Sequence, residues 1–369
     1  PLAETVWQKR KSWLRFVGER LSFLPNEKDS SVRFAFSPAD IGTDISQHPL
    51  VQQADIIHLH WINFGFLSLN SLRKLFALGK PVVWTLHDMW AFTGGCHYSR
   101  GCNHYLTHCH QCPYLSHPGE YDISFTQFEE KRKLYTSTQI CVVSPSQWLT
   151  NLVQSASLTK LLPSQTVPNC IDTNQFKPLE IQQVRHKLRL PQDKKLLLFA
   201  GANTQDPRKG FLYFKEALTQ VLANTEIEVL IFGKANTRNF EDFPVPVHYL
   251  GSISNPEDMV DIYNASDLIV VPSLEDNLPN TIMEAMACGT PAVGFKTGGI
   301  PEMIDHQTNG YLAEVRSSHA LAEGINWVLH QNRDGSLSQA ARNKVIECYR
   351  ESVVAAQYNH IYKSLCKSI

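Results

Sequence analysis

Apolar residues along this chain come in short runs separated by segments of helical spacing, and that alternation sets the expected fold. Leu268 to Val271 is apolar, rich in β-branched side chains and too short for a globular helix, so it reads as a strand buried on both faces. Pro272 and Ser273 end it, and a polar loop with Glu275, Asp276 and Asn277 follows. Asn280 is the expected N-cap of a helix reaching about Cys288, with Ile282, Met283 and Met286 on its buried side. Gly289 suits the C′ position and Pro291 cannot continue the helix, so a second strand runs from Pro291 to Phe295.

The same alternation recurs on both sides. Ala54 to His60, Lys80 to Asp88 and Ile140 to Val143 read as strands, with helices over Leu67–Leu78 and from Ser146 to about Gln154. Further on, Lys195–Ala200, Glu228–Phe232 and an edge-like Val247–Leu250 read as strands, and Ile181–Leu188 and Phe211–Leu222 as helices. Ala320–Leu329 and Ser338–Leu365 are the last expected helices. Strand–helix alternation of this kind predicts parallel, doubly wound α/β domains. A chain of 369 residues is long for one core, and the segment Thr166–Phe176, between Pro163 and Pro178, is the expected junction. The predicted division is 1–163, a linker 164–178, a second domain 179–345, and a final helix 346–369 crossing back to the first domain.

Composition narrows the classes. A formal charge of −1 gives no general attraction to nucleic acid. No apolar run approaches the roughly 20 residues that span a bilayer. The odd count of 9 Cys, unevenly spaced in a long chain, points to a reducing cytoplasm. Residues 7–21 mix Trp7, Trp13, Leu14, Phe16, Val17 and Leu21 with Lys9, Arg10, Lys11, Arg15 and Arg20. Such a basic amphipathic helix either rests on an anionic membrane, making the protein peripheral on its inner face, or packs its stripe on the domain.

Candidate chemistry gathers where parallel sheets bind ligands, beyond the carboxyl ends of the strands. Arg208 and Lys209 precede Gly210 and a helix, a placement that suits phosphates; the alternative is a solvated basic pair. Glu284, in the first turn of its helix, can accept from two neighbouring hydroxyls, as on a ribose, or simply favour the helix dipole. Gly233 ends a strand on the edge expected to border a base, and Gly298 and Gly299 can bring backbone N–H groups to a sugar or phosphate. His87 ends a strand on the same kind of edge, as do His58 and His60, of which at least one is expected to be structural. Cys96, Cys102, Cys109 and Cys112 are spaced C-x5-C-x6-C-x2-C within one long loop, 96–112. That spacing predicts a structural zinc with four thiolates, with His97, His104, His108 and His110 as substitute ligands; free thiols or a redox pair are the alternatives. No G-x-G-x-x-G follows a strand, which excludes the usual dinucleotide site, and no Asp-x-Asp calls for magnesium.

The segment PSLEDNLPNTIMEAMACGTPAV resembles the acidic-x7-acidic motif of retaining glycosyltransferases of the GT-B type, family 4. That resemblance implies two doubly wound Rossmann-like domains facing each other across a cleft, and transfer from a nucleotide-diphosphate sugar to a hydroxyl of a glycan, lipid-linked or small-molecule acceptor. It places Glu284 on the ribose, Asp276 or its neighbour Glu275 by the donor sugar, and Lys209 with Arg208 on the diphosphate. THDMWAF resembles the segment whose histidine lines the sugar pocket, which falls on His87. The family opens with a strand and glycine loop that does not precede Ile56, so the chain is expected to be N-terminally incomplete. The other readings are a nucleotide-sugar epimerase of the same architecture and a non-catalytic, zinc-stabilised binding protein.

Overall fold

The computed structural model describes residues 5–136, 138–203, 206–221, 226–235 and 240–366. The chain folds as two units, Pro1–Val167 with Asn359–Ile369, and Pro168–Tyr358.

The first unit runs α1 (Val6–Phe23), α2 (Pro49–Gln53), β1 (Ile57–Leu59), α3 (Leu69–Phe76), β2 (Val82–Thr85), α4 (Ile123–Tyr135), β3 (Ile140–Ser144), α5 (Gln147–Ser155) and β4 (Ser164–Thr166). Its four strands are parallel in the order β1-β2-β3-β4, with Ile57 opposite Val82 and Val82 opposite Ile140. Every residue of β2 and β3 is buried, as short apolar runs covered on both faces require. Gly18 does not interrupt α1, which starts on a capping box between Thr5 and Gln8. The Glu19 carboxylate is fully buried and accepts from Gly65 N–H, the Ser37 hydroxyl and Arg20, so α1 is fastened by its inner face. Its outer face leaves Val6, Trp7, Trp13, Leu14 and Leu21 more than half exposed.

The second unit runs α6 (Ile181–Leu188), β5 (Lys195–Asn203), α7 (Phe211–Leu218), β6 (Ile227–Lys234), β7 (Val247–Tyr249), α8 (Pro256–Ala265), β8 (Leu268–Val271), α9 (Asn280–Ala287), β9 (Ala292–Phe295), α10 (Ile300–Met303), β10 (Gly310–Ala313), α11 (Ser318–Gln331), α12 (Ser336–Cys348) and the start of α13 (Glu351–Cys366), whose residues from Asn359 onward group with the first unit. Its six parallel strands stand in the order β10-β9-β8-β5-β6-β7, so the winding reverses between β5 and β8. Leu196, Leu197, Leu198, Ile269 and Val293 have no exposed surface, each worth about 1.5–3 kcal/mol of burial. Ligands bind such sheets where the winding reverses, beyond the carboxyl ends of those two strands. The fold is the two-Rossmann GT-B architecture.

Some expected elements differ. Asn280 is the first helical residue rather than the cap; Pro279 holds the cap position, and Asn280 Oδ1 instead accepts from Asn169 at 3.1 Å. The expected helix Ser338–Leu365 breaks at Tyr349–Arg350, where the Tyr349 carbonyl accepts from Ile171 N–H at 2.9 Å and Arg350 bridges to Ile171. The Leu222 end of the helix expected from Phe211 lies outside the described residues, as do Pro1 and the Thr204–Gln205 part of the loop before Arg208. Among the described residues no helix is long and apolar enough to cross a membrane.

Candidate functional site

At the reversal point, the loops after β5 and β8 are knitted together. Asp206 caps a single 3-10 turn, Pro207–Lys209, and Leu274 N–H donates to the Arg208 carbonyl at 2.7 Å. Gly210 has φ 69°, and a Cβ there would lie 1.9 Å from the Pro272 carbonyl oxygen, so only glycine lets the two loops approach this closely. Arg208 pairs with Asp206 at 2.8 Å and donates to the Glu275 carbonyl at 3.3 Å. Lys209 Nζ lies 2.7 Å from Asp276 Oδ2.

Asp276 is 8% exposed and well supplied with donors: Ser273 Oγ at 3.1 Å besides Lys209, and Asn277 N–H at 3.1 Å on its other oxygen. Glu275 beside it is half-buried. Gly299 N–H donates to the Asp276 carbonyl at 3.1 Å, and Gly298, at φ 58°, would place a Cβ 1.8 Å from that same carbonyl oxygen. The two glycines thus pack directly on the acidic loop. Glu284 is the fifth residue of α9 and so lies beyond the first turn expected for it, because the helix starts at Asn280 after a Pro279 cap; it accepts the Tyr263 hydroxyl on Oε2 at 2.6 Å. Burial pushes its pKa up, and the tyrosine hydrogen bond opposes that. Gly233 ends β6 with its N–H on the Gly251 carbonyl at 2.8 Å and its own carbonyl accepting from Tyr249 at 2.9 Å, so it is tied to the β7 side. The structure therefore brings Arg208, Lys209, Gly210, Glu275, Asp276, Gly298 and Gly299 into one contact group, with Glu284 on the helix that leaves it. A cationic pair just before the start of α7 can hold an anion, and a carboxylate on α9 can hold a diol.

The other group lies in the first unit. His87 follows β2, and its Nε2 is 3.1 Å from Nδ1 of His60, which follows β1. His58 is structural: its Nε2 bonds the Thr85 hydroxyl at 2.8 Å and its Nδ1 the Tyr362 hydroxyl at 2.7 Å. Burial lowers the pKa of all three histidines, His58 to about 4 with His60 and His87 adding to the effect. The Asp88 carboxylate takes His97 Nδ1 at 2.7 Å and Trp90 N–H at 2.8 Å. His60, His87, Asp88 and the half-exposed Trp61 line one cavity, together with Asn63, whose Nδ2 is buried without a partner among the described residues.

The cysteine loop continues from there. Buried Lys131 donates to the Trp90 carbonyl at 2.5 Å and the Thr93 carbonyl at 3.0 Å, fixing the start of the loop. Cys96, Cys102, Cys109 and Cys112 line a cavity of about 20 Å³ with His104 and His110. Burial pushes Cys109 and Cys112 up to about 12. His110 Nδ1 is buried with no partner among the described residues, and Gly94 N–H already donates to Cys109 Sγ at 3.2 Å. Among the described residues, however, no three His, Cys, Asp or Glu side chains stand as a ready metal-ligand group. His97 and His108 are committed elsewhere, to Asp88 and, at 2.6 Å, to Glu129.

Sequence reasoning missed Tyr263 and the pairing of His60 with His87. Tyr263 stands on a different helix from Glu284 with 21 positions between them, so no local spacing announces the contact.

Two family models match the chain: Glycosyltransferase Family 4 over residues 8–175 and Glycosyl transferases group 1 over residues 194–331. Among characterised relatives, the N-acetyl-alpha-D-glucosaminyl L-malate synthase of Bacillus anthracis is 26% identical over 209 residues, covering 54% of this chain and 53% of the relative. The lipopolysaccharide 1,2-N-acetylglucosaminetransferase of Salmonella typhimurium is 27% identical over 244 residues, 60% of this chain and 62% of the relative. The chain spans about half the length of the first curated relatives it matches. Among solved structures, a sucrose-phosphate synthase from Thermosynechococcus elongatus superimposes with a TM-score of 0.65 at 20% identity, covering 85% of this chain and 74% of that one. Anabaena HepE in complex with UDP gives 0.63 at 19%, covering 87% and 81%.

Proposed function

We propose, from the premise that this chain is a GT-B-fold glycosyltransferase related to family 4 and group 1, that it moves a sugar from a nucleotide-diphosphate donor to a hydroxyl of a glycan or lipid-linked acceptor, with retention at the anomeric carbon. The observation that carries this is the convergence of Lys209, Asp276 and Gly298 at the point where the second sheet reverses its winding.

In this reading Lys209 and Arg208 face the diphosphate, whose charge grows as the glycosyl–phosphate bond breaks. Their contribution is therefore larger in the transition state than in the bound donor. Glu284 takes the ribose hydroxyls, and the Gly298 backbone approaches the phosphates and sugar while the Gly299 N–H stays on the Asp276 carbonyl. Gly233 borders the base. Asp276, held by three donors, keeps Lys209 in place, which leaves Glu275 the more exposed carboxylate for the sugar hydroxyls. His87, with its ring held by His60, takes the sugar-binding role that the THDMWAF resemblance implies, and the departing phosphate takes the acceptor proton. No step needs a divalent ion. A structural zinc at Cys96, Cys102, Cys109 and Cys112 belongs to the same reading: the thiol-lined cavity and the unpartnered His110 nitrogen suit a soft cation, whose binding would draw the sulfurs together. The exposed Trp7, Trp13 and Leu14 with Lys9, Arg10 and Lys11 suit an anionic membrane face, with the protein on its cytoplasmic side.

The test is calorimetry with UDP, GDP and ADP alongside sugar transfer, in the parent, Glu284→Gln and His87→Ala. Glu284→Gln should weaken nucleotide binding by about 10-fold or more. His87→Ala should cut transfer while leaving nucleotide affinity within about 2-fold, because its contact is with the sugar. Parent-like binding and transfer in both variants would remove the site from where it is placed here. The anomeric configuration of the product, read by NMR, decides retention.

A further inference from the structure

Glu284 is a carboxylate in a mostly buried setting whose side chain receives a single protein hydrogen bond among the described residues, from the Tyr263 hydroxyl at 2.6 Å. An ionised carboxylate has about four acceptor positions, and a buried one left so poorly supplied calls for further donors. The donor it does have is rigid. Tyr263 has no exposed surface, its ring meets Phe232 edge-on at 6.0 Å and Phe176 at 6.4 Å, and its carbonyl accepts the Thr290 hydroxyl at 2.7 Å. The hydroxyl is thereby aimed at one oxygen of Glu284 and cannot follow the carboxylate if it turns.

We propose that Tyr263 is a positioning residue for nucleotide recognition: by holding Oε2 of Glu284, it turns the other carboxylate oxygen to the ribose 2′- and 3′-hydroxyls. The inference rests on the assignment of Glu284 to the ribose made above, and goes beyond it by naming the group that makes that carboxylate selective for a diol. Without the tyrosine proton the carboxylate gains rotational freedom and loses the one donor that offsets its burial. Both changes cost ribose recognition and neither touches the diphosphate contacts of Lys209. Tyr263 therefore acts on which nucleoside is bound, not on the bond that breaks.

The experiment compares UDP with 2′,3′-dideoxy-UDP by calorimetry on the full chain. The parent should prefer UDP by about 30-fold or more, the scale of two hydrogen bonds to a charged group. Tyr263→Phe keeps the ring and removes only the hydroxyl; the preference should fall to about 3-fold while dideoxy-UDP affinity stays within about 2-fold. An undiminished preference in Tyr263→Phe overturns the inference, and so does an equal loss for both nucleotides, which would be a general structural effect. Should Tyr263→Phe not fold, the comparison moves to Glu284→Gln and Glu284→Gln/Tyr263→Phe, where the partner is neutral. There, removing the hydroxyl must change the preference by less than about 2-fold; a further loss shows that Tyr263 acts by another route. A parent that binds UDP without preferring it to the dideoxy analogue overturns the ribose assignment of Glu284 and this inference with it. A parent that does not bind UDP at all overturns both for this nucleotide donor site.

Discussion

Lys209→Ala separates the two duties that the structure gives one ammonium group. Its Nζ stands 2.7 Å from Asp276 Oδ2, and that carboxylate is 8% exposed. Removing the cation leaves a nearly buried charge, but one still served by Ser273 Oγ and Asn277 N–H, both at 3.1 Å. The loss of stability should therefore be about 1–2 kcal/mol, below the roughly 3–5 kcal/mol for stranding a fully buried ion. Asp276→Asn removes the stranded charge, so Lys209→Ala/Asp276→Asn should recover about 1 kcal/mol of that loss in urea denaturation. Transfer behaves differently. The charge that Lys209 meets on the departing diphosphate is unaffected by Asp276, and Lys209→Ala should lower turnover by about 10²-fold in either background. The assay is nucleoside-diphosphate release from a panel of UDP-sugars, read beside the denaturation curves. If the double variant transfers as well as Asp276→Asn alone, Lys209 serves only the loop and the proposed electrostatic role fails.

Three further outcomes are expected. Burial lowers the pKa of His58, His60 and His87, so between pH about 4 and 6.5 the unfolded chain binds more protons and stability falls as pH drops through that window; for His58 the full shift, 6.5 to about 4, is worth about 3 kcal/mol, and screening of a partly exposed group reduces it to about 1–2 kcal/mol. A urea midpoint unchanged between pH 7.5 and 5.0 would contradict this. Gly298→Ala, which would set a methyl 1.8 Å from the Asp276 carbonyl oxygen at a positive φ, should push the acidic loop aside and weaken UDP binding by about 10-fold or more in calorimetry; parent-like affinity would show that the loop yields without consequence. Protein purified without added metal should carry about one zinc per chain by elemental analysis, lost in Cys109→Ser/Cys112→Ser, with the 96–112 loop then cut more readily by protease; well under one zinc per chain would refute the site.

The strands were legible because each is a short apolar run punctuated by Pro or Gly, as with Leu268–Val271 before Pro272. The acidic motif was legible for a related reason: a parallel sheet leaves polar residues nowhere to gather but the strand ends. What escaped is what tertiary contacts decide. The helix break at Tyr349–Arg350 follows from pairing with Ile171, far away in sequence. The helix α4 escaped detection with a lysine, Lys131, on its buried face, where carbonyls of the cysteine loop receive it. Strands β4 and β10 are three and four residues long and only partly buried, so their apolar signal is weak. Within the candidate site, Arg208, Lys209 and Glu284 are singled out by their placement at strand ends and helix starts and Asp276 by the motif's resemblance, but nothing local tells which acid the lysine would choose or which phenol Glu284 would meet.

The hydrogen bond between Tyr362 and His58 joins residues 304 positions apart, and residues from Asn359 onward group with the first unit. During synthesis at about 5–20 residues per second, His58 leaves the ribosome roughly 15–60 s before the tyrosine that completes its surroundings exists. For that interval the strands carrying His58, His60 and His87 must persist without their last partner. A nascent first unit is thus open to chaperones and proteases until the residues from Asn359 onward have emerged, and a stop codon shortly before position 359 would leave it in that state permanently.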